Sequence, residues 1–155
     1  MVSTTLNYLT VSSDDAEVVK ELKFTYRLPT PQAKDQFRKC TADAQAAYKK
    51  LVRRGEALDR ARDPLVQALK TPTITDAQRE VAQSKLDELD RQLESFTAEV
   101  EQVGDDKTID ELLACADPTT RKALMDLPDF PMCISMEEAY KIAEDFRIRL
   151  SRRAG

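Results

Sequence analysis

The apolar residues between positions 31 and 103 recur at heptad spacing along two successive stretches, a pattern few folds accept. In the first stretch Phe37, Ala44, Leu51, Leu58 and Leu65 come seven residues apart. Cys40, Ala47, Ala61 and Ala68 make a second seam beside them, with Arg54 as its single polar member. In the second stretch Ala82, Leu86, Leu89, Leu93, Phe96, Val100 and Val103 alternate spacings of four and three. Thr30-Pro31 supplies an N-cap and a first helical position for one helix. Thr75 with Gln78 makes a capping box for the next, and Gly104 follows its last seam residue as a stop. Pro64 predicts a kink or a restart in the first helix. Two helices joined by the short turn at Lys70–Thr75 fold back on each other.

Charge is sorted along this hairpin. Positions 31 to 70 carry 10 Lys/Arg against 5 Asp/Glu, net +5, and positions 76 to 106 carry 3 against 10, net −7. Opposite charges on the flanks favour pairing of the two helices with each other over pairing with themselves. A turn near residue 72 sets Ala47 against Phe96, Leu51 against Leu93 and Ala44 against Val100, with Arg54 close to Asp90 and Glu94. A lone Arg in an apolar seam costs stability and fixes register or partner, unless its stem packs and its guanidinium reaches a flanking carboxylate. On this reading Arg54→Leu stabilises the hairpin, and Gly55 is a weak point with no role.

Either side of the hairpin the pattern changes. Leu22, Phe24, Tyr26 and Leu28 alternate with polar residues, which puts the four on one face of a strand. Thr4 to Val11 is rich in β-branched and aromatic residues, and Ser12-Ser13-Asp14-Asp15 supplies turn residues within a long connection. Two strands alone are marginal in water, so the pair must lie on a helix or take a third strand. Beyond Gly104, Thr108 with Glu111 opens a helix, Asp117-Pro118 restarts it, and Leu127–Pro131 is a turn. Ser135 with Glu138 opens a last helix with the stripe Ala139, Ala143, Phe146 and Leu150. The expected fold is mainly α: a long antiparallel helical hairpin (30–104), an N-terminal antiparallel β pair (1–29) and short C-terminal helices (105–155), the last two forming one unit.

Several kinds of chemistry are excluded by what the chain lacks. It has no His and three Gly in 155 residues, which removes histidine-based catalysis and Gly-rich phosphate loops. Paired carboxylates such as Asp14-Asp15, Asp87-Glu88 and Asp105-Asp106 fall in turns or on solvated helix faces, where general acid–base work has no pocket. Cys40, Cys115 and Cys133 are odd in number and widely spaced, so neither a disulfide framework nor a zinc site is expected. The sequence has no apolar run long enough for a bilayer, Met1 to Val11 is not expected to act as a signal peptide, and a cytoplasmic setting is expected. No enzyme, metal or cofactor is expected.

What remains are surfaces. Leu22, Phe24 and Tyr26 lie on a strand whose open edge is a template for a partner strand. Arg54 stands in the seam, and Arg147, Arg149, Arg152 and Arg153 crowd the end of the last helix. Lys49, Lys50 and Arg53 form the densest basic run, which would contact nucleic acid by phosphate or else complement the acidic helix. An acidic chain without Trp favours the second role.

Phe24-Thr25-Tyr26-Arg27-Leu28-Pro29-Thr30, running into a helix with Phe37, resembles the opening of some bacteriophage tail assembly chaperones. There an aromatic and basic strand ends in a Pro-Thr turn before a helix with an early aromatic. The hairpin over 31–103 is an addition to that pattern. The resemblance implies a phage morphogenesis factor that binds the tape measure or tail tube protein and self-assembles, in the host cytoplasm or the virion, and it brings no catalytic residues. The expected function is thus non-enzymatic assembly through protein partners and self-association, with a nucleic-acid-binding adaptor as the alternative.

Overall fold

The computed structural model describes residues 2–153, and of residue 153 the backbone alone. Two strands precede four helices: β1 (Ser3–Val11), β2 (Glu17–Thr25), α1 (Pro31–Lys70), α2 (Asp76–Cys115), α3 (Pro118–Met125) and α4 (Met136–Arg153). Mainly helical architecture with a small N-terminal β pair is what the heptads and the alternation predict. The chain forms two compact units, one from residues up to Ala42 with those from Asp105 onward, the other from Asp43–Gly104. No helix among the described residues is long and apolar enough to cross a membrane.

Caps fix the helix starts as their side chains dictate. Ala33 N–H donates to Thr30 Oγ1 at 3.2 Å. Thr75 and Gln78 exchange two bonds of 3.1 Å, a complete capping box. Asp117 accepts from Thr120 N–H at 2.7 Å ahead of Pro118, and Ser135 Oγ accepts from Glu138 N–H at 3.4 Å. α1 continues through Pro64 without a restart. α2 likewise continues through Gly104, so neither the stop nor the Thr108 cap forms. The reason lies beyond Gly104, where Ile109, Leu112 and Cys115 are buried, and burial of a helical face outweighs a weak local stop.

In the hairpin unit the α2 seam is the expected one, with Ala82 and Leu86 buried and Leu89, Leu93, Phe96, Val100 and Val103 half-buried. The α1 seam keeps Ala44, Leu51, Leu58 and Leu65, with Ala47 and Ala68 half-buried, and departs from expectation at Arg54 and Ala61. It follows Ala44, Tyr48, Leu51, Gly55, Leu58, Arg62 and Leu65, leaving Arg54 and Ala61 exposed. The register shifts with it: Phe96 meets Gly55 rather than Ala47, about two turns along. Arg54 pairs with Glu99, not with Asp90 or Glu94, and its guanidinium lies 5.9 Å over the Phe96 ring. Asp90 instead accepts from Arg62 Nε at 3.2 Å. The return is longer than the turn at Pro72 alone, because α2 stays exposed until Ala82. Arg54 thus sits on a flank with its guanidinium over Phe96 and its charge paired, and Arg54→Leu loses its reason to stabilise.

Gly55 is the position of closest approach. A Cβ there would stand 2.8 Å from Phe96 Cζ and 3.3 Å from both Cε atoms. The ring points end-on at the helix, so only withdrawal of the whole side chain would relieve the contact. Helix propensity favours Gly55→Ala by about 1 kcal/mol, but overpacking costs about 1–3 kcal/mol. Gly55→Ala is therefore expected to lower the urea midpoint in the native background and to raise it in a Phe96→Leu background. A rise in both backgrounds would contradict this register.

The other unit holds the main core. β1 and β2 pair antiparallel with Leu6 opposite Leu22 and Thr4 opposite Phe24. Their connection is short, not long: Ser12 N–H donates to Ala16 O at 2.9 Å, and Asp15 takes φ 59° in the turn. Leu6, Phe24, Phe37, Leu112, Leu124, Ile142 and Phe146 are all buried in one cluster. Phe146 is its aromatic centre, stacked on Tyr26 at 5.9 Å and tilted against Phe37 at 5.5 Å. Leu28 does not share the face of Phe24 and Tyr26, being 60 % exposed, because β2 ends at Thr25 and alternation ends with it. The sheet stays two-stranded and leans on helices, with Thr25 N–H donating to Thr120 Oγ1 at 3.1 Å.

Candidate partner-binding cleft

Backbone pairing aims the residues after β2. Tyr26 N–H donates to Val2 O and Arg27 N–H to Cys115 O, both at 2.9 Å. These bonds hold residues 25–27 between the start of β1 and the end of α2, and Pro29 ends the extended run ahead of α1. On α4, Phe146, Arg149 and Arg152 are spaced three apart and so share one side of the helix. Together they enclose an open cleft of about 420 Å³ lined by Val2, Tyr26, Arg27, Leu28, Pro29, Phe146, Arg149 and Arg152.

Its floor is apolar and its rim is cationic. Arg149 Nε donates to Asp145 Oδ2 at 3.2 Å, and its guanidinium lies 5.3 Å over the Tyr26 ring. Arg27 Nη1 donates to Gln36 Oε1 at 2.6 Å, a neutral partner that leaves its charge uncompensated. Arg152 is exposed and carries no partner among the described residues. Burial raises the Tyr26 hydroxyl far above its ordinary pKa, with the nearby Asp145 carboxylate adding to the effect, so it stays a neutral hydrogen-bonding group. An apolar floor beneath guanidiniums suits a carboxylate borne on or beside an apolar side chain. Among the described residues there is no group of three or more side chains able to hold a metal. Burial likewise raises the Cys115 and Cys133 thiols, which disfavours their reactive thiolate forms.

Of the residues singled out in the sequence, the cleft unites Tyr26, Arg149 and Arg152. Phe24 is fully buried in the core and Leu22 packs at its margin, so Phe24 offers no outer surface. Arg147 is bound inward: Nη2 donates to Glu111 at 2.7 Å, Nη1 pairs with Glu144, and the group lies over Phe37. The side chain of Arg153 lies outside the described residues. Arg54 belongs to the hairpin unit, as do Lys49, Lys50 and Arg53, which are exposed, face away from the seam and have no ion-pair partner among the described residues. Complementing the acidic helix thus falls to Arg54 and Arg62 instead of these three. Arg27, Leu28, Pro29 and Phe146 were not legible as site residues, since strand alternation assigned Arg27 to the side away from Tyr26. Comparison of the chain with protein-family models, with curated proteins and with solved structures finds no match.

Proposed function

We propose that this protein is a non-enzymatic assembly factor that docks an acidic, apolar-bearing segment of a protein partner in the cleft between α4 and the segment that follows β2. The supporting observation is the convergence of Arg27, Arg149 and Arg152 over the apolar floor of Tyr26, Pro29 and Phe146. The hairpin, with its two complementary seams, serves in this reading as a spacer or second docking arm. The resemblance of residues 24–30 to phage tail assembly chaperones supports a tail tube or tape-measure protein as the partner.

The test is fluorescence polarisation with a labelled peptide of glutamates interleaved with leucine and phenylalanine, and a lysine-substituted control. Binding of the acidic peptide alone is expected, weakened about tenfold by Arg149→Ala or Arg152→Ala. Equal binding of both peptides, or indifference to both variants, counts against the cleft. A second reading, nucleic-acid binding, draws on the exposed cations Lys49, Lys50 and Arg53, which have no ion-pair partner among the described residues. It requires duplex DNA binding that weakens steeply between low and moderate salt and that is lost in a Lys49→Glu/Lys50→Glu/Arg53→Glu variant.

A further inference from the structure

The two edges of the β pair are treated differently. The outer edge of β1 is met by the chain itself: Leu9 N–H donates to Cys133 O at 2.8 Å, and Tyr8 bridges Ile134. Among the described residues the outer edge of β2 is met only at its end, where Thr25 O accepts from Asp117 N–H at 2.9 Å. That bond shows which residues of β2 point outward. Thr25 does, so by alternation the N–H and C=O groups of Glu17, Val19, Glu21 and Lys23 do as well. No backbone partner meets them among the described residues, and all four residues are exposed. Val19 is 64 % exposed and Val18 38 %. An open edge with exposed valines is a pairing template.

From this edge we infer that the chain forms a symmetric dimer in which β2 pairs antiparallel with β2 of a second copy, making a four-stranded sheet. Hydrogen bonding and charge select one register. A two-fold axis at Lys20 puts Glu17 opposite Lys23 and Val19 opposite Glu21, so all the outward backbone groups of residues 17–23 are paired. Moving the axis to Val19 leaves Lys23 unpaired, and moving it to Glu21 sets Glu17 against Thr25, already occupied by Asp117. The Lys20 axis also gives two Glu17–Lys23 ion pairs on one face and two Val18–Leu22 apolar pairs on the other. Directly opposite like charges arise only at Lys20 against Lys20 of the second copy, with Glu21 diagonal to Glu21 of that copy. The inference deepens the assembly reading, but it uses a surface separate from the cleft.

Sedimentation equilibrium of the full chain over the micromolar range tests it, with circular dichroism to verify folding. The native chain is expected to be dimeric. Glu17→Lys and Lys23→Glu each set like charges opposite one another twice and are expected to weaken the dimer about tenfold or more. The double reversal restores the ion pairs and the dimer, and Lys20→Thr tightens it. Val19→Pro removes an outward N–H only, so the hairpin keeps its internal ladder while the dimer is lost. A monomeric native chain overturns the inference but leaves the cleft and its peptide titration untouched. A dimer indifferent to Val19→Pro, or not restored by the double reversal, also overturns it, while self-association itself would still stand.

Discussion

Phe146→Ala is expected to lower the unfolding free energy by about 4 kcal/mol. The ring is fully buried, and it links Tyr26 at 5.9 Å with Phe37 at 5.5 Å. Three elements meet on it: α4 carries it, the segment after β2 stacks on it, and the first turns of α1 tilt against it. Removing the ring loses its transfer free energy and leaves a cavity that rigid aromatic neighbours cannot collapse into. Urea unfolding followed by circular dichroism measures the loss, and the lost signal should come from this core unit. Phe146→Leu, which keeps most of the volume, should recover well over half of the stability. A loss below about 1 kcal/mol for Phe146→Ala would mean that the aromatic cluster does not organise this core.

The second large effect belongs to the Glu111–Arg147 pair. Glu111 is 3 % exposed, and its carboxylate accepts from Arg147 at 2.7 Å, with Lys107 Nζ 3.6 Å from its other oxygen. Arg147→Met strands this buried charge with one distant lysine and is expected to cost about 3 kcal/mol. Most of that cost is the penalty for a buried carboxylate left with the Lys107 contact alone, not the strength of the Arg147 pair. The double variant Glu111→Leu/Arg147→Met should therefore be markedly more stable than Arg147→Met alone, because the desolvated charge is gone. A thermodynamic cycle over the four proteins measures the coupling, and additive losses would show that the pair is not desolvated in solution. Arg147 is thus read as a core-fastening residue, whereas its neighbours Arg149 and Arg152 are left to the cleft.

The seam residues show where sequence reasoning holds and where it stops. For α2 the seven expected positions are all buried or half-buried, with Asp90 half-buried beside them, because the apolar residues there leave a single stripe to bury. For α1 two stripes compete after Leu51, one through Arg54 and Ala61, the other through Gly55 and Arg62. Ranking by hydrophobicity favours Ala61, but Arg62 and Arg54 can flank the seam and still reach Asp90 and Glu99. What decides is the Phe96 ring, which needs a residue without a side chain opposite it. That choice carries the register of the whole hairpin, and no local rule sees it.

The cleft repeats the lesson at smaller scale. Tyr26, Arg149 and Arg152 stood out by type and spacing, since an aromatic strand and a basic helix end are visible in a linear string. Arg27 and Leu28 did not, because their direction depends on where β2 stops, and β2 stops where Asp117 and Thr120 take over its edge at Thr25.

By itself, then, the sequence determined the helical hairpin, the caps at Thr30, Thr75, Asp117 and Ser135, and the existence of a β pair. These follow from periodicity, capping chemistry and composition, which act over a few residues at a time. Tertiary structure alone decided the hairpin register, the continuation of α2 through Gly104, the inward use of Arg147 and the assembly of the cleft. Each of those depends on residues far apart in the chain competing for the same space or the same charge, and only packing resolves such a competition.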